Sequence, residues 1–146
     1  MIGNKLILAA AAALALQFAG CAGPTDPQVT RPPEGKDVVV AYYMHRSIRC
    51  ISCTAIENKS HGIITSQFQK ELDSGRLEWR TLNYDDRPDL RDRYGLKTSS
   101  LVLVSYQGGR EQSHEVLGDL WDLKWQSKAF DTRVSEAVRA SLEPKH

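Results

Sequence analysis

Residues 38–53 read VVVAYYMHRSIRCISC, and the architecture of the chain can be worked out from this stretch. Residues 38–44 are a continuous run of apolar, β-branched and aromatic side chains, which is typical of a strand buried on both faces. A short loop, HRSIR, follows this run. From Cys50 onward, apolar residues recur at mostly helical spacing until Ser74-Gly75, which provides a stop. The stretch therefore predicts a buried strand that leads through a loop into a helix with two cysteines in its first turn.

Three further strands are predicted beyond this helix. They are expected at residues 77–84, where apolar and polar side chains alternate, and at residues 100–106 and 111–117. The sequence Gln107-Gly108-Gly109-Arg110 fits a turn, so the last two strands are expected to form a hairpin.

Two further helical regions are predicted between and after these strands. A short helix is expected near residues 86–94, with Asp86 as its N-terminal cap, and the region from Gly118 onward is also helical. Three large aromatic residues of that last region are expected to be core residues: Trp121, Trp125 and Phe130. The order β-α-β-α-β-β-α predicts one α/β domain, residues 37–146, in which helices cover a mixed four-stranded sheet.

Composition limits the function classes. The 146 residues are 41% hydrophobic and 25% charged, which suits one ordinary domain with a tail. The formal charge of +1 leaves no electrostatic excess to hold a phosphate backbone. We therefore expect no nucleic acid among the partners.

The N-terminus has the features of an export signal. Lys5 precedes an apolar run, Leu6–Leu16, which is too short to span a bilayer of roughly 30 Å as a helix. The following Phe18-Ala19-Gly20-Cys21 resembles the bacterial lipobox, in which the cysteine is acylated and becomes the mature N-terminus. Residues 1–20 are therefore predicted to be a lipoprotein signal peptide and Cys21 to carry acyl chains such as palmitate. The open alternative is an ordinary signal peptide that is cut near Ala22.

Residues 21–36 are predicted to be a tether between this anchor and the domain. They contain four of the six prolines and few side chains able to pack. The same composition also fits a disordered tail. We expect the domain to be lipid-anchored in a bacterial cell envelope, facing the periplasm or the cell exterior.

Cys50 and Cys53 are the residues with the most informative chemistry. Two cysteines three positions apart in the first turn of a helix can form a disulfide. Cys50 would lie at the positive end of the helix dipole, with Arg46 and Arg49 nearby, and both effects favour a thiolate. Cys53, one turn further in, should be more buried. This asymmetry suits a nucleophilic thiol and a resolving thiol.

Other uses of the pair are less well supported. A closed zinc site needs four ligands, and the four histidines do not stand at metal-like spacing. An inert structural disulfide is compatible with an oxidising compartment. However, a disulfide between residues so close in sequence constrains the unfolded chain little, so stability is a poor reason for it.

The strand, the CxxC at the start of a helix and the order β-α-β-β-α that follows resemble the thioredoxin fold. The resemblance covers about residues 37–142, and residues 94–104 are similar to the thioredoxin segment that introduces the strand facing the CxxC. More narrowly, YYMHRSIRCISC, SGRLEWRTLNYDD and KTSSLVLV resemble small secreted thioredoxin-like proteins of the ArsF family, identified as nitrophenyl-compound nitroreductase subunits. The ArsF resemblance implies a partner such as a CcdA-like membrane electron carrier or an arsenical permease.

Two positions depart from the thioredoxin pattern. Ser100 stands where thioredoxins have a cis-proline, so a cis peptide cannot be assumed there. Met44 stands where thioredoxins bury an acid that helps to deprotonate the resolving thiol. His45 is the nearest replacement, because its ordinary pKa of about 6.5 suits proton transfer. An exposed loop residue is the alternative interpretation of His45.

Two function classes follow from these observations. In the first, the chain is a thiol–disulfide oxidoreductase or electron-transfer subunit with a protein disulfide as partner. No segment resembles a flavin or nicotinamide site, so the cysteine pair would supply the electrons and no cofactor is expected. In the second, Cys50 and Cys53 bind a soft metal or arsenic(III) without turnover, with Met44 and His45 as further soft ligands.

Overall fold

The computed structural model describes residues 33–143 of the chain. The predicted signal peptide (1–20), Cys21 and most of the tether therefore lie outside the described residues.

The described chain forms four strands and five helices; their order follows the prediction except that the first and the last helical regions are each divided into two helices. The strands are β1 (Val38–His45), β2 (Leu77–Asn83), β3 (Ser100–Gln107) and β4 (Arg110–Leu117). The helices are α1 (Ile51–Gln67), α2 (Gln69–Asp73), α3 (Pro88–Arg93), α4 (Leu120–Leu123) and α5 (Ser127–Leu142).

The strands form one mixed sheet with the order β2-β1-β3-β4. β1 pairs in parallel with β2 and antiparallel with β3, and β4 pairs antiparallel with β3. The central position of β1 explains its continuous apolar sequence, because every residue from Val38 to Met44 is buried. The element order and the strand directions are those of the thioredoxin fold, which confirms the predicted thioredoxin-like α/β architecture.

The two faces of the sheet carry different cores. One face, with Val39, Ala41 and Tyr43 of β1, packs against α1 and α5. The other face, with Tyr42 and Met44 of β1, packs against the short α3 and is rich in tyrosine. Cys50 and Cys53 lie where β1 ends and α1 begins, at the edge of the sheet that also holds the first residues of β3.

Three local predictions are wrong. The first helix is interrupted at Phe68, a buried residue whose non-helical backbone (φ −125°, ψ 28°) separates α1 from the short α2. Asp86 does not cap α3, because its carboxylate accepts a hydrogen bond from the side-chain amide of Asn83 at 2.9 Å. Trp125 is not a core residue, since 78% of its surface is exposed, whereas Phe130 is fully buried.

Candidate active site

The cysteine pair lies at the junction of β1 and α1. Cys50 is the N-cap of α1 and Cys53 lies in its first turn. Their Cα atoms are 5.0 Å apart and the two residues form a disulfide. The separation falls within the usual range for such bonds, about 4.4–6.8 Å.

The two sulfurs have different surroundings. Cys50 is exposed, whereas only 7% of the Cys53 surface is accessible. The backbone N–H of Cys53 donates to Sγ of Cys50 at 3.1 Å, so this sulfur caps the helix. The first turn contains no acidic residue that would offset the positive end of the helix dipole. Reduction of the disulfide would therefore leave an accessible sulfur at Cys50 at the helix N-terminus, where a thiolate is favoured, and a shielded sulfur at Cys53.

The arginines expected beside Cys50 are both matched by carboxylates. Arg49 forms a close ion pair with Glu57, and Nε of Arg46 lies 3.8 Å from a carboxylate oxygen of Asp85. Each pair reduces the positive charge available to a thiolate at Cys50. The helix N-terminus is therefore the main thiolate-stabilising feature that the structure places at this sulfur.

His45 is the last residue of β1 and is half-buried. Its Nδ1 lies 2.9 Å from the carbonyl oxygen of Arg46, an arrangement in which Nδ1 donates the hydrogen bond. Within the described residues, His45 makes no hydrogen bond to either cysteine. A role for His45 in proton transfer remains a prediction.

Ser100 begins β3 and pairs with Met44 of β1, so it lies at the sheet edge that leads to the cysteines. It is buried, and its hydroxyl donates to the carbonyl oxygen of Thr98 at 3.1 Å. None of the peptide bonds described for residues 33–143 is cis. The Ser100 side chain is thus hydrogen-bonded to the loop that precedes β3. What Ser100 provides at the start of β3 is its backbone, which pairs with Met44.

Tyr43 is a residue of the site that sequence reasoning missed. Its buried hydroxyl donates to the carbonyl oxygen of Cys53 at 2.6 Å, which joins β1 to the first turn of α1. Burial raises the pKa of Tyr43 to about 12, although the nearby positive charge of Arg49 opposes this shift. A tyrosine in a strand buried on both faces needs a hydrogen-bond partner for its hydroxyl. This requirement is the sequence signal that could have pointed to Tyr43.

Exposed apolar side chains flank the pair. Ile48 is 87% exposed and Ile51 is 91% exposed, and both lie within two residues of Cys50. Large apolar side chains that remain in water beside a reactive sulfur favour contact with another molecule there.

A metal site at the pair would depend on the two sulfurs. Among residues 33–143, no group of three or more His, Cys, Asp or Glu residues could hold a metal ion. Met44 is buried, with 1% of its surface exposed, so it is not available to a ligand at the surface.

No protein-family model and no curated protein sequence matches the chain. Among solved structures, the chain is similar to thioredoxin from Fasciola hepatica, with 17% identity, a TM-score of 0.36, and coverage of 68% of this chain and 82% of that one. It is also similar to thioredoxin (Mala s 13) from Malassezia sympodialis, with 16% identity, a TM-score of 0.39, and coverage of 71% and 81%. The assignment of the fold rests on the strand order and directions described above and not on these distant likenesses. The ArsF resemblance stays a prediction, and the described part of the chain is a thioredoxin-like domain with a cysteine pair at the β1–α1 junction.

Proposed function

We propose that the chain is an exported, membrane-tethered thiol–disulfide oxidoreductase or electron-transfer subunit. The observation that carries the proposal is the asymmetry of the pair: Cys50 is exposed and caps α1, whereas Cys53 is shielded in the first turn. An accessible attacking sulfur with a second sulfur at disulfide distance is the arrangement that thiol exchange needs.

The reaction requires only the two thiols and a substrate disulfide. The Cys50 thiolate attacks one sulfur of the substrate disulfide, which forms a mixed disulfide and releases the other substrate sulfur as a thiolate that takes up a proton. Cys53 then loses its proton and attacks Sγ of Cys50, which releases the second substrate thiol. The substrate gains two electrons and two protons, and the Cys50–Cys53 disulfide is restored.

A membrane partner would reset the pair in this proposal. The support is the sequence of the first 21 residues, which resembles a lipoprotein signal, together with the exposed Ile48 and Ile51 beside Cys50. A CcdA-like membrane electron carrier is the partner that the ArsF resemblance implies. In that case the domain would pass electrons to a nitroreductase or to an arsenical detoxification system.

The test uses the purified full chain in detergent with dithiothreitol and a model protein disulfide. We expect the wild-type chain to catalyse reduction and Cys50→Ser to abolish catalysis. Cys53→Ser should instead accumulate the mixed disulfide, because the resolving step is lost. Cys21→Ser is the matched cysteine control and should retain activity.

Alkylation of the reduced chain at graded pH tests the assigned roles. Cys50 should be labelled first at low pH, and labelling of Cys53 first would show that the roles are reversed. A chain that reduces no disulfide but binds Cu(I) or arsenic(III) tightly through both sulfurs would contradict the proposal in favour of a binding module.

A further inference from the structure

Tyr43 links the central strand of the sheet to the helix turn that carries the cysteine pair. Its hydroxyl donates to the carbonyl oxygen of Cys53 at 2.6 Å, from β1 to the first turn of α1. Within residues 33–143, no other hydrogen bond connects a strand to residues 51–54. The Tyr43 hydroxyl is therefore the polar tie that fixes this turn to the sheet.

The tyrosine ring has a fixed position. None of its surface is exposed, and it belongs to the core in which β1 packs against α1 and α5. The ring also stacks on Trp79 of β2, with centroids 6.5 Å apart and planes 13° from parallel. The hydroxyl on such a ring cannot follow the helix turn, so the turn is held at the position of the hydroxyl.

Cys53 uses both of its backbone polar groups at the site. Its N–H donates to Sγ of Cys50 at 3.1 Å, and its carbonyl oxygen accepts from Tyr43. A helix carbonyl ordinarily accepts the N–H four residues on, and its second lone pair is free for a further donor such as this hydroxyl. Because both groups belong to one residue, a bond that fixes the carbonyl also limits how far the N–H can turn away from the Cys50 sulfur.

This restraint matters most when the disulfide is open. In the oxidised chain the S–S bond itself joins the helix cap to the first turn. Reduction removes that bond, and helix ends fray because their first N–H groups have no helical partner. Residues 46–50, which lead into the helix, are all exposed and offer little packing to hold the turn.

The other tie in this region is weaker. Arg49 forms an ion pair with Glu57 one turn further along α1, but 34% of the Arg49 side chain is exposed. Ion pairs with that access to water contribute little to stability. The buried hydrogen bond from Tyr43 is therefore the stronger restraint on the first turn in the reduced chain.

We propose that Tyr43 is a positioning residue for the reduced pair: through the Cys53 backbone, its hydroxyl keeps the Cys53 N–H directed at Sγ of Cys50 and so stabilises the Cys50 thiolate. Hydrogen bonds from a helix N-terminus to a thiolate favour the charged form over the thiol. The inference rests on the proposed role of Cys50 as the attacking sulfur. It concerns the ionisation of that sulfur and does not depend on which disulfide is the substrate.

The test measures the rate at which iodoacetamide alkylates Cys50 in the reduced full chain in detergent, from pH 4 to pH 10. Tandem mass spectrometry locates the label within the tryptic peptide 50–59, which contains both cysteines. The test variant is Tyr43→Phe, which keeps the ring and removes only the hydroxyl. The control is Tyr94→Phe, which removes a hydroxyl bonded to Glu111 at 3.0 Å on the opposite face of the sheet.

The three chains differ in no other ionisable group near the pair. All of them keep the same charged and titratable side chains there: His45, Arg46, Arg49, Glu57 and Asp85. Tyr43 itself stays protonated over this pH range, because burial raises its pKa to about 12. A change in the pH profile of Tyr43→Phe therefore reports the lost hydrogen bond.

We expect the midpoint of the Cys50 alkylation profile to move to higher pH in Tyr43→Phe. One pH unit below the wild-type midpoint, the variant should react about threefold to tenfold more slowly, the range that loss of one hydrogen bond gives. The two rates should converge at pH 10, where the sulfur is ionised in both chains. Tyr94→Phe should follow the wild-type profile, although it also loses a buried hydroxyl bond.

Three results would overturn the proposal. The first is superimposable profiles for the wild-type chain and Tyr43→Phe. The second is faster alkylation of Tyr43→Phe at every pH, because the hydroxyl would then only limit access to the pair. The third is an equal shift in Tyr94→Phe, which would report lost stability and not position. Alkylation needs no substrate disulfide, so an unchanged profile in a chain with intact reductase activity contradicts this inference alone, and a shifted profile in a chain without that activity contradicts only the proposed function.

Discussion

At the scale of single residues, the site depends on backbone groups of α1 more than on charged side chains. The Cys50 sulfur receives the N–H of Cys53, while Arg46 and Arg49 are each paired with a carboxylate. Sequence alone indicated that the arginines were close, since both lie within four residues of Cys50. It could not indicate the carboxylates that pair with these arginines, because Glu57 and Asp85 come close to them only in the folded chain.

Removal of the Glu57 charge should make Cys50 more reactive. Glu57→Gln leaves Arg49 with an unbalanced positive charge next to Cys50 and so stabilises the thiolate. A charge at contact distance is worth about 1 kcal/mol in water, so we expect alkylation of Cys50 at pH 6.5 to accelerate about twofold to fivefold. Asp92→Asn, which removes a charge paired with Arg91 on α3, is the control and should leave the rate unchanged. Equal rates for Glu57→Gln and the wild-type chain would contradict the expectation.

Tyr43→Phe should destabilise the domain at neutral pH and make its stability less sensitive to alkaline pH. At pH 8 the variant loses the hydrogen bond to the Cys53 carbonyl, which costs about 1 kcal/mol. The pKa of Tyr43 is raised from 10.0 to about 12. Below pH 10 the tyrosine is neutral in both the folded and unfolded chain. Between pH 10 and about 12 only the unfolded chain loses the proton, so the wild-type free energy of unfolding falls as pH rises.

Urea unfolding of both chains at pH 8, 10.5 and 11.5 measures this effect. Burial also raises the pKa values of Tyr94 and Tyr106, so both chains should lose stability in alkali. The wild-type chain should lose more, and the difference between the two chains should shrink or change sign by pH 11.5. A constant difference across the three pH values would show that Tyr43 does not titrate as described.

At the scale of helices and strands, the apolar patterns predicted the position of β1 correctly but misplaced a residue near the break between two helices. The predicted strand at residues 38–44 is confirmed as Val38–His45, because a run buried on both faces has one stable position in the sheet. Trp125 was wrongly placed in the core because the pattern treated the region from Gly118 as continuous helix. The non-helical backbone at Gln126 separates α4 from α5 and changes the face that Trp125 presents.

The hairpin turn between β3 and β4 gives a matched pair of substitutions. Gly108 and Gly109 both have positive φ, where a non-glycine residue costs roughly 1–2 kcal/mol. A Cβ on Gly108 would meet no atom within 4 Å, whereas one on Gly109 would lie 2.6 Å from the Pro33 carbonyl oxygen and 2.8 Å from the Gly35 nitrogen. In urea unfolding, Gly109→Ala should therefore lose clearly more stability than Gly108→Ala, because the backbone of residues 33–35 must move. Equal losses would mean that this segment does not pack on the turn.

At the scale of the whole molecule, residues 33–143 form a thioredoxin-like sheet covered by helices. No helix in that part is long and apolar enough to cross a membrane. Lys5 is the only charged residue of 1–20, so the chain beyond it has 18 basic and 18 acidic residues and no net attraction to anionic lipids. The topology followed from sequence because β1 is a continuous apolar run, residues 77–84 alternate apolar and polar side chains, and residues 107–110 mark a hairpin turn. The proposed lipid anchor lies outside the described residues, so the folded domain does not test it.

Membrane association should therefore depend on Cys21 alone. Acyl chains contribute about 0.8 kcal/mol for each buried CH₂ group, so they can hold a neutral domain at a bilayer without basic residues. We expect the wild-type chain in the membrane fraction, resistant to washing with 1 M salt because no electrostatic attraction is involved. Cys21→Ala should move the domain to the soluble fraction and abolish incorporation of labelled palmitate. Cys50→Ser, which removes a different cysteine, should remain membrane-bound and labelled. A wild-type chain that is already soluble, or palmitate that persists in Cys21→Ala, would contradict the proposed anchor.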